Sequence, residues 1–157
     1  MGGIQEGSAL PNLEPPHTVS SLGHFKRDIG ALPSVFDFTG EFAGRQGLDE
    51  AAVFAMNLAV EELFTNIVKY GIANELDVGI ELDVCDDHLV IEVTDDDAEP
   101  FDITATRRVD VDKRLDDREA GGLGIHLIRS IMDYVKYEYS DRRARITLKK
   151  RLEARNV

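Results

Sequence analysis

Three side chains at helical spacing carry the first chemistry. Between Asp49 and Gly71, the residues Glu62, Asn66 and Lys69 fall at i, i+4 and i+7, so a carboxylate, an amide and an ammonium project from one stripe of a helix. That set suits Mg-ATP. The amide oxygen can ligate Mg²⁺, the ammonium can neutralise phosphate oxygens, and the carboxylate can accept a proton from an attacking hydroxyl or water. The competing reading is an amphipathic helix showing its wet face, because an E-x-x-x-N spacing recurs by chance.

A second cluster, DDDAEPFD (Asp95 to Asp102), follows an apolar strand directly. A carboxylate fixed at a strand end can accept a hydrogen bond from an adenine amino group in an otherwise apolar pocket; a solvated acidic turn is the alternative. Consecutive Asp residues lack the alternating spacing of a calcium loop. A third segment, EAGGLGIHLIRSIMD, runs from glycines straight into an amphipathic pattern. Glycines at a helix start let backbone N–H groups close on phosphate oxygens, helped by the positive end of the helix dipole, although they can also serve loop flexibility alone. No Lys-Ser or Lys-Thr follows, which excludes the Walker pattern, and no strand leads directly in, which excludes the dinucleotide fingerprint. His126, at the helix start, is better read as structural than as a phosphate ligand.

These segments need elements to hold them. Residues 1–21 are rich in Gly, Pro and small polar types and are expected to be a flexible tail, with the domain occupying 22–157. Gly23 to Ile29 is expected to be a short edge strand. Val35, Phe36, Thr39, Phe42 and Ala43 then recur at helical spacing, with Gly44 and Gly47 as a stop. Asp49 is the expected N-cap of a longer helix whose stripe is Ala52, Met56, Ala59, Leu63 and Ile67, ending near Gly71. VGIELDV (Val78 to Val84) and LVIEVT (Leu89 to Thr94) alternate as a hairpin. Asp95 to Glu119 reads as a long functional loop, and a helix from Ile125 and two closing strands follow. The fold class is therefore α+β, a two-layer α/β sandwich with a mixed, mostly antiparallel sheet and helices on one face.

Composition bounds what such a domain can do. The chain has 157 residues, 43% of them hydrophobic and 31% charged, as expected for one globular domain. The net charge of −12 opposes nonspecific nucleic-acid binding, so direct nucleic-acid contact is not expected. The apolar run from Ala51 to Val60 is too short to span a bilayer, no secretory pattern opens the chain, and Cys85 is the single cysteine. A cytoplasmic protein with no membrane contact is the expectation.

In order, ELFTNIVKYG, DDAEPFD and GGLGIHLIRSIMD resemble the N, G1 and G2 boxes of the GHKL (histidine kinase-like) ATPases, whose domain is the Bergerat-type ATP-binding fold. With the closing ITLKKRL strand, the last segment is most similar to bacterial anti-sigma-factor serine kinases. The likeness covers about Gly23 to Leu152. It implies ATP and Mg²⁺ as cofactors, with Glu62 as catalytic base and Asn66 as Mg²⁺ ligand. It also implies Asp96 as the adenine-reading acid, Gly121, Gly122, Leu123 and Gly124 as the phosphate-binding lid, and Lys69 and Thr147 as further nucleotide contacts. The sequence departs from the family at Ala98, which stands where the pattern D-x-G-x-P has glycine. If that position needs a left-handed backbone, the methyl costs about 1 kcal/mol. Counting from Asp95 instead puts Asp97 at the glycine and Glu99 at the proline, a poorer match.

The resemblance further implies transfer of the ATP γ-phosphate to a serine on a small antagonist protein. That transfer would accompany sequestration of a sigma factor by partner switching, with the loop Thr104 to Ala120 ordering over ATP, and members often dimerise. Two other readings stand beside it: a catalytically silent, nucleotide-dependent protein-binding module on the same fold, and the ATP domain of a two-component histidine kinase. The four scattered His residues speak against the last.

Overall fold

A computed structural model describes residues 20–71, 75–98 and 122–153. Gly121, the loop Thr104 to Ala120 and most of the expected tail lie outside the described residues. Helix α1 (Leu32–Gln46) starts with Pro33 in its first turn and ends at Gly47, which takes a left-handed backbone (φ 60°) and donates its N–H to the carbonyls of Ala43 and Gly44. Two residues later Asp49 caps α2 (Glu50–Tyr70), its carboxylate accepting from the Ala52 N–H at 2.8 Å. A third helix, α3 (Gly122–Ile131), begins inside the glycine run.

Five strands form one sheet: β1 (Ser21–Phe25), β2 (Val78–Cys85), β3 (His88–Asp96), β4 (Tyr134–Ser140) and β5 (Arg143–Arg151). Their order is β1-β2-β3-β5-β4. All four pairings among the described residues are antiparallel, and with the helices as the second layer they give the expected α+β fold. Both hairpins turn on two residues with positive φ, Asp86 and Asp87 in one and Asp141 and Arg142 in the other. That backbone matches the right-handed twist of the flanking strands.

β3 lies at the centre, and its residues alternate strictly between buried and half-buried. Leu89, Ile91 and Val93 face the helix layer, where Met56, Ala59, Val60 and Phe64 of α2 join Ile80, Leu82, Ile128 and Leu148 in one core. Each large side chain fully buried there contributes about 1.5–3 kcal/mol. By length and composition α2 could cross a membrane, but its stripe of Ala55, Met56, Ala59, Val60, Leu63 and Phe64 is buried in this core. Between α1 and α2, the fully buried Thr39 hydroxyl donates to Asn57 Oδ1 at 2.8 Å, the polar tie across that helix pair.

Gly47 carries the reversal between α1 and α2 in a conformation that a Cβ opposes. Gly47→Ala is expected to lower unfolding free energy by about 1 kcal/mol, seen as a lower urea midpoint at unchanged slope.

Candidate functional site

α2 is asked to do two things. One side builds the core, so polar groups can be half-buried only on the flank of that stripe. Glu62 and Asn66 are half-buried there, with Lys69 exposed one turn further on. Burial pushes the Glu62 carboxyl above the ordinary glutamate range and the neighbouring Glu61 charge adds to the rise, while Lys69 pulls it partly back. The structure thus brings Glu62 and Lys69 into one electrostatic neighbourhood. The Asn66 amide makes no hydrogen bond among the described residues and is available to a ligand.

β3 delivers the acids. Asp95 continues the row Leu89, Ile91, Val93, so it faces the helix layer and is 7% exposed. Asp96, the acid that the motif spacing singles out, points to the opposite face by strand alternation, and Arg143 Nε donates to its Oδ1 at 2.6 Å. Asp97 accepts from Arg142 Nε at 2.5 Å. Both pairs are largely exposed, a class worth about 0–1 kcal/mol. The left-handed residue of this turn is Asp97 (φ 55°), one position before Ala98. Ala98 is therefore not strained by its methyl. It is 5% exposed, its N–H donates to the Arg142 carbonyl at 2.7 Å, and its own carbonyl accepts from the Tyr139 hydroxyl at 2.8 Å.

Thr147 is likewise not brought to the helix-facing side. On β5 the buried residues are Ala144, Ile146 and Leu148, so Thr147 sits on the other face, opposite Glu92 and Lys136. The cross-strand neighbour of Asp95 is Ala144. Gly122, Leu123 and Gly124 form the first turn of α3, which packs against α2.

Sequence reasoning missed Arg27, just past the end of β1. Its Nη2 donates to Asp95 Oδ1, and its side chain is only 6% exposed. A methyl at Gly71, the C-cap of α2, would stand 3.3 Å from Arg27 Nη1 and would collide with the Ile67 carbonyl oxygen. Arg27 therefore links the C-terminus of α2 to the end of β3. No local pattern marks it, since Asp95 is 68 residues away. Asp95 did carry a signal, as the next member of an alternating apolar row.

For Mg-ATP the donor set fits: a free amide on α2, a buried carboxylate on β3, and a helix opening on glycines. Among the described residues no group of three or more His, Cys, Asp or Glu could hold a metal ion, so Mg²⁺ here would depend on Asn66 together with the phosphates.

The comparisons agree with this architecture. Residues 25–150 match the family described as histidine kinase-like ATPase domain, and the chain belongs to that family. Within it, the chain is similar to the serine-protein kinase RsbW of Listeria monocytogenes serovar 1/2a, 31% identical over 105 residues, covering 63% of this chain and 66% of that protein. It is also 32% identical over 98 residues to RsbW of Halalkalibacterium halodurans, covering 60% of each. The matches thus span just under two thirds of these relatives or less. A crystal structure of RsbU and RsbW domains from Mycobacterium tuberculosis superposes with a TM-score of 0.63 at 16% identity, covering 88% of this chain and 34% of that one, which shows the shared fold.

Two outcomes follow from the site's geometry. Gly71→Ala is expected to cost about 1–3 kcal/mol, read as a lower thermal midpoint, because a backbone carbonyl must move. The raised folded-state pKa of Glu62 means its charge opposes folding once the pH exceeds the unfolded value. Glu62→Gln should therefore raise the melting temperature at pH 7, a gain that disappears as pH falls through and below the ordinary glutamate range.

Proposed function

We propose that the chain is an Mg-ATP-dependent protein serine/threonine kinase acting as an anti-sigma regulator. In this reading it transfers the γ-phosphate to a serine on a small antagonist protein in a partner-switching system, in the cytoplasm. The observation that carries the reading is the half-buried Glu62 with its raised pKa on the same helix flank as Asn66, whose amide makes no hydrogen bond among the described residues, on the helix whose end meets Asp95 through Arg27. Similarity to the RsbW serine-protein kinases supports the reaction class.

Each residue has a role in this reading. Glu62 takes the proton of the acceptor hydroxyl, and its raised pKa brings it closer to the working pH. Asn66 holds Mg²⁺ through its amide oxygen, and Lys69 stands beside Glu62 as a cation for phosphate oxygens. Mg²⁺ held there would supply charge neutralisation between the phosphates. The N-terminal backbone of α3, at Gly122, Leu123 and Gly124, would receive the phosphate oxygens, and the resemblance adds Gly121 to that set. Asp95 takes the base-reading role that spacing suggested for Asp96, because only Asp95 faces the helix layer. The second reading, a silent nucleotide-dependent binding module, is favoured by the placement of Thr147 on the far face, which removes one base contact.

Calorimetric titration with ATP, with and without Mg²⁺, tests the site: binding should need Mg²⁺ and be lost in Asn66→Ala. No binding at millimolar nucleotide would count against it. With an antagonist protein as acceptor, transfer should fall as pH drops through a value above the ordinary glutamate range. Glu62→Gln should lose about 10²–10⁴-fold in rate, and that acidic limb, while still binding Mg-ATP. Transfer absent from the unaltered chain that binds Mg-ATP leaves the silent module.

A further inference from the structure

β4 ends the sheet on one side, and among the described residues no strand lies beyond it. It joins β5 through a two-residue turn at Asp141 and Arg142, and such a turn closes on a hydrogen-bonded pair, Ser140 with Arg143. Antiparallel pairs alternate. Tyr134, Lys136, Glu138 and Ser140 therefore turn their backbone groups to β5, whereas Val135, Tyr137 and Tyr139 direct theirs outward. Natural edge strands are blunted by shortness, a proline, a bulge or unbalanced lysines. β4 has none of these: its seven residues run in unbroken register with β5, and its one lysine, Lys136, is matched by Glu138 at 2.8 Å. The opposite edge, β1, is five residues long and contains Gly23, which weakens it as a pairing template.

The pattern of β4 is self-complementary about Tyr137. Laid antiparallel against a second copy, with Tyr137 opposite its own counterpart, the strand sets Val135 opposite Tyr139 in hydrogen-bonded pairs. Lys136 then falls opposite Glu138 in the alternate pairs, where side chains stand closest. Both are exposed on the sheet face away from the helices, so each ammonium has one carboxylate on its own strand and another across the twofold axis. Four alternating charges close into a ring. On the helix side the half-buried Val135, Tyr137 and Tyr139 gain cross-strand apolar and aromatic partners. Moving the axis by one residue would set Lys136 against Lys136 or Glu138 against Glu138, so charge selects one register. The net charge of −12 opposes the approach of two copies, but it is screened beyond about 10 Å at 0.1 M salt, and the edge itself is charge-balanced.

We propose that two copies of the chain join edge to edge through β4, with Tyr137 on the twofold axis, so that the sheet of one copy continues into the sheet of the other. The pairing is isologous and uses up the β4 edge of both copies, so it closes at the dimer. It stands independently of the nucleotide reading.

Sedimentation equilibrium of the full chain tests this, with thermal melting to establish that each variant is folded. The unaltered chain should sediment with twice its monomer mass. Lys136→Glu and Glu138→Lys each place like charges across the axis twice, and each alone should weaken the dimer at least about tenfold. Mixing equal amounts of the two single variants should restore a dimer, because two glutamates on one copy then face two lysines on the other. Loss of the ion pair within one strand cannot be cured by mixing. A chain that stays monomeric up to about 1 mM overturns the proposal. So does a dimer that neither single variant weakens, and so do two variants that remain monomeric when mixed.

Discussion

Along the seam between α2 and β3, Met56, Ala59, Val60 and Phe64 share one dry core with Leu89, Ile91 and Val93. Burial there is the main force holding the two layers together. It also dictates where chemistry can go. A helix that gives one side to the core has only its flanks for polar groups that are neither fully wet nor fully dry, and Glu62 and Asn66 occupy such a flank. A strand in the same seam can place a carboxylate among apolar neighbours only at its end, where Asp95 closes the row.

Partial dryness sets the electrostatics. Glu62 loses some hydration and gains little in return, with Glu61 beside it, so its proton is held more tightly than in water. Asp95 is drier still, and a carboxylate in that position needs a partner. Arg27 supplies it from an element remote in sequence, and becomes in turn a buried cation with donors to spare. The contrast with Asp96 and Asp97 is instructive. Their pairs with Arg143 and Arg142 are exposed to water and close the edge of the β4–β5 hairpin without constraining any buried charge.

Membership of the histidine kinase-like ATPase domain family sits on this frame, and so do the departures from the family pattern. Ala98 is accommodated because the turn takes its left-handed residue one position earlier, at Asp97, leaving Ala98 with both backbone hydrogen bonds made. At 16% identity to the mycobacterial structure the fold persists, with a TM-score of 0.63. Apolar periodicity can be preserved by many sequences, whereas a site depends on particular atoms.

Periodicity and caps made much of the fold legible in the residues alone. Asp49 and Gly47 mark helix ends through hydrogen bonds local to the chain, and alternation over Val78 to Thr94 marks a hairpin, because both signals arise within a few residues of one another. The stripe of Glu62, Asn66 and Lys69 was legible for the same reason. Which acid faces the helices was harder. Motif spacing favoured Asp96, while the pleat of β3, fixed by its partners on both sides, turned Asp95 inward and Asp96 out. The same pleat on β5 turned Thr147 away and set Ala144 beside Asp95. Arg27 was beyond any local reading, since its pairing with Asp95 exists only once β1, β2 and β3 lie side by side. Short-range hydrogen bonding and apolar period are written in consecutive residues, but which face a side chain takes and which distant charge meets it are decided by the packing of the whole sheet.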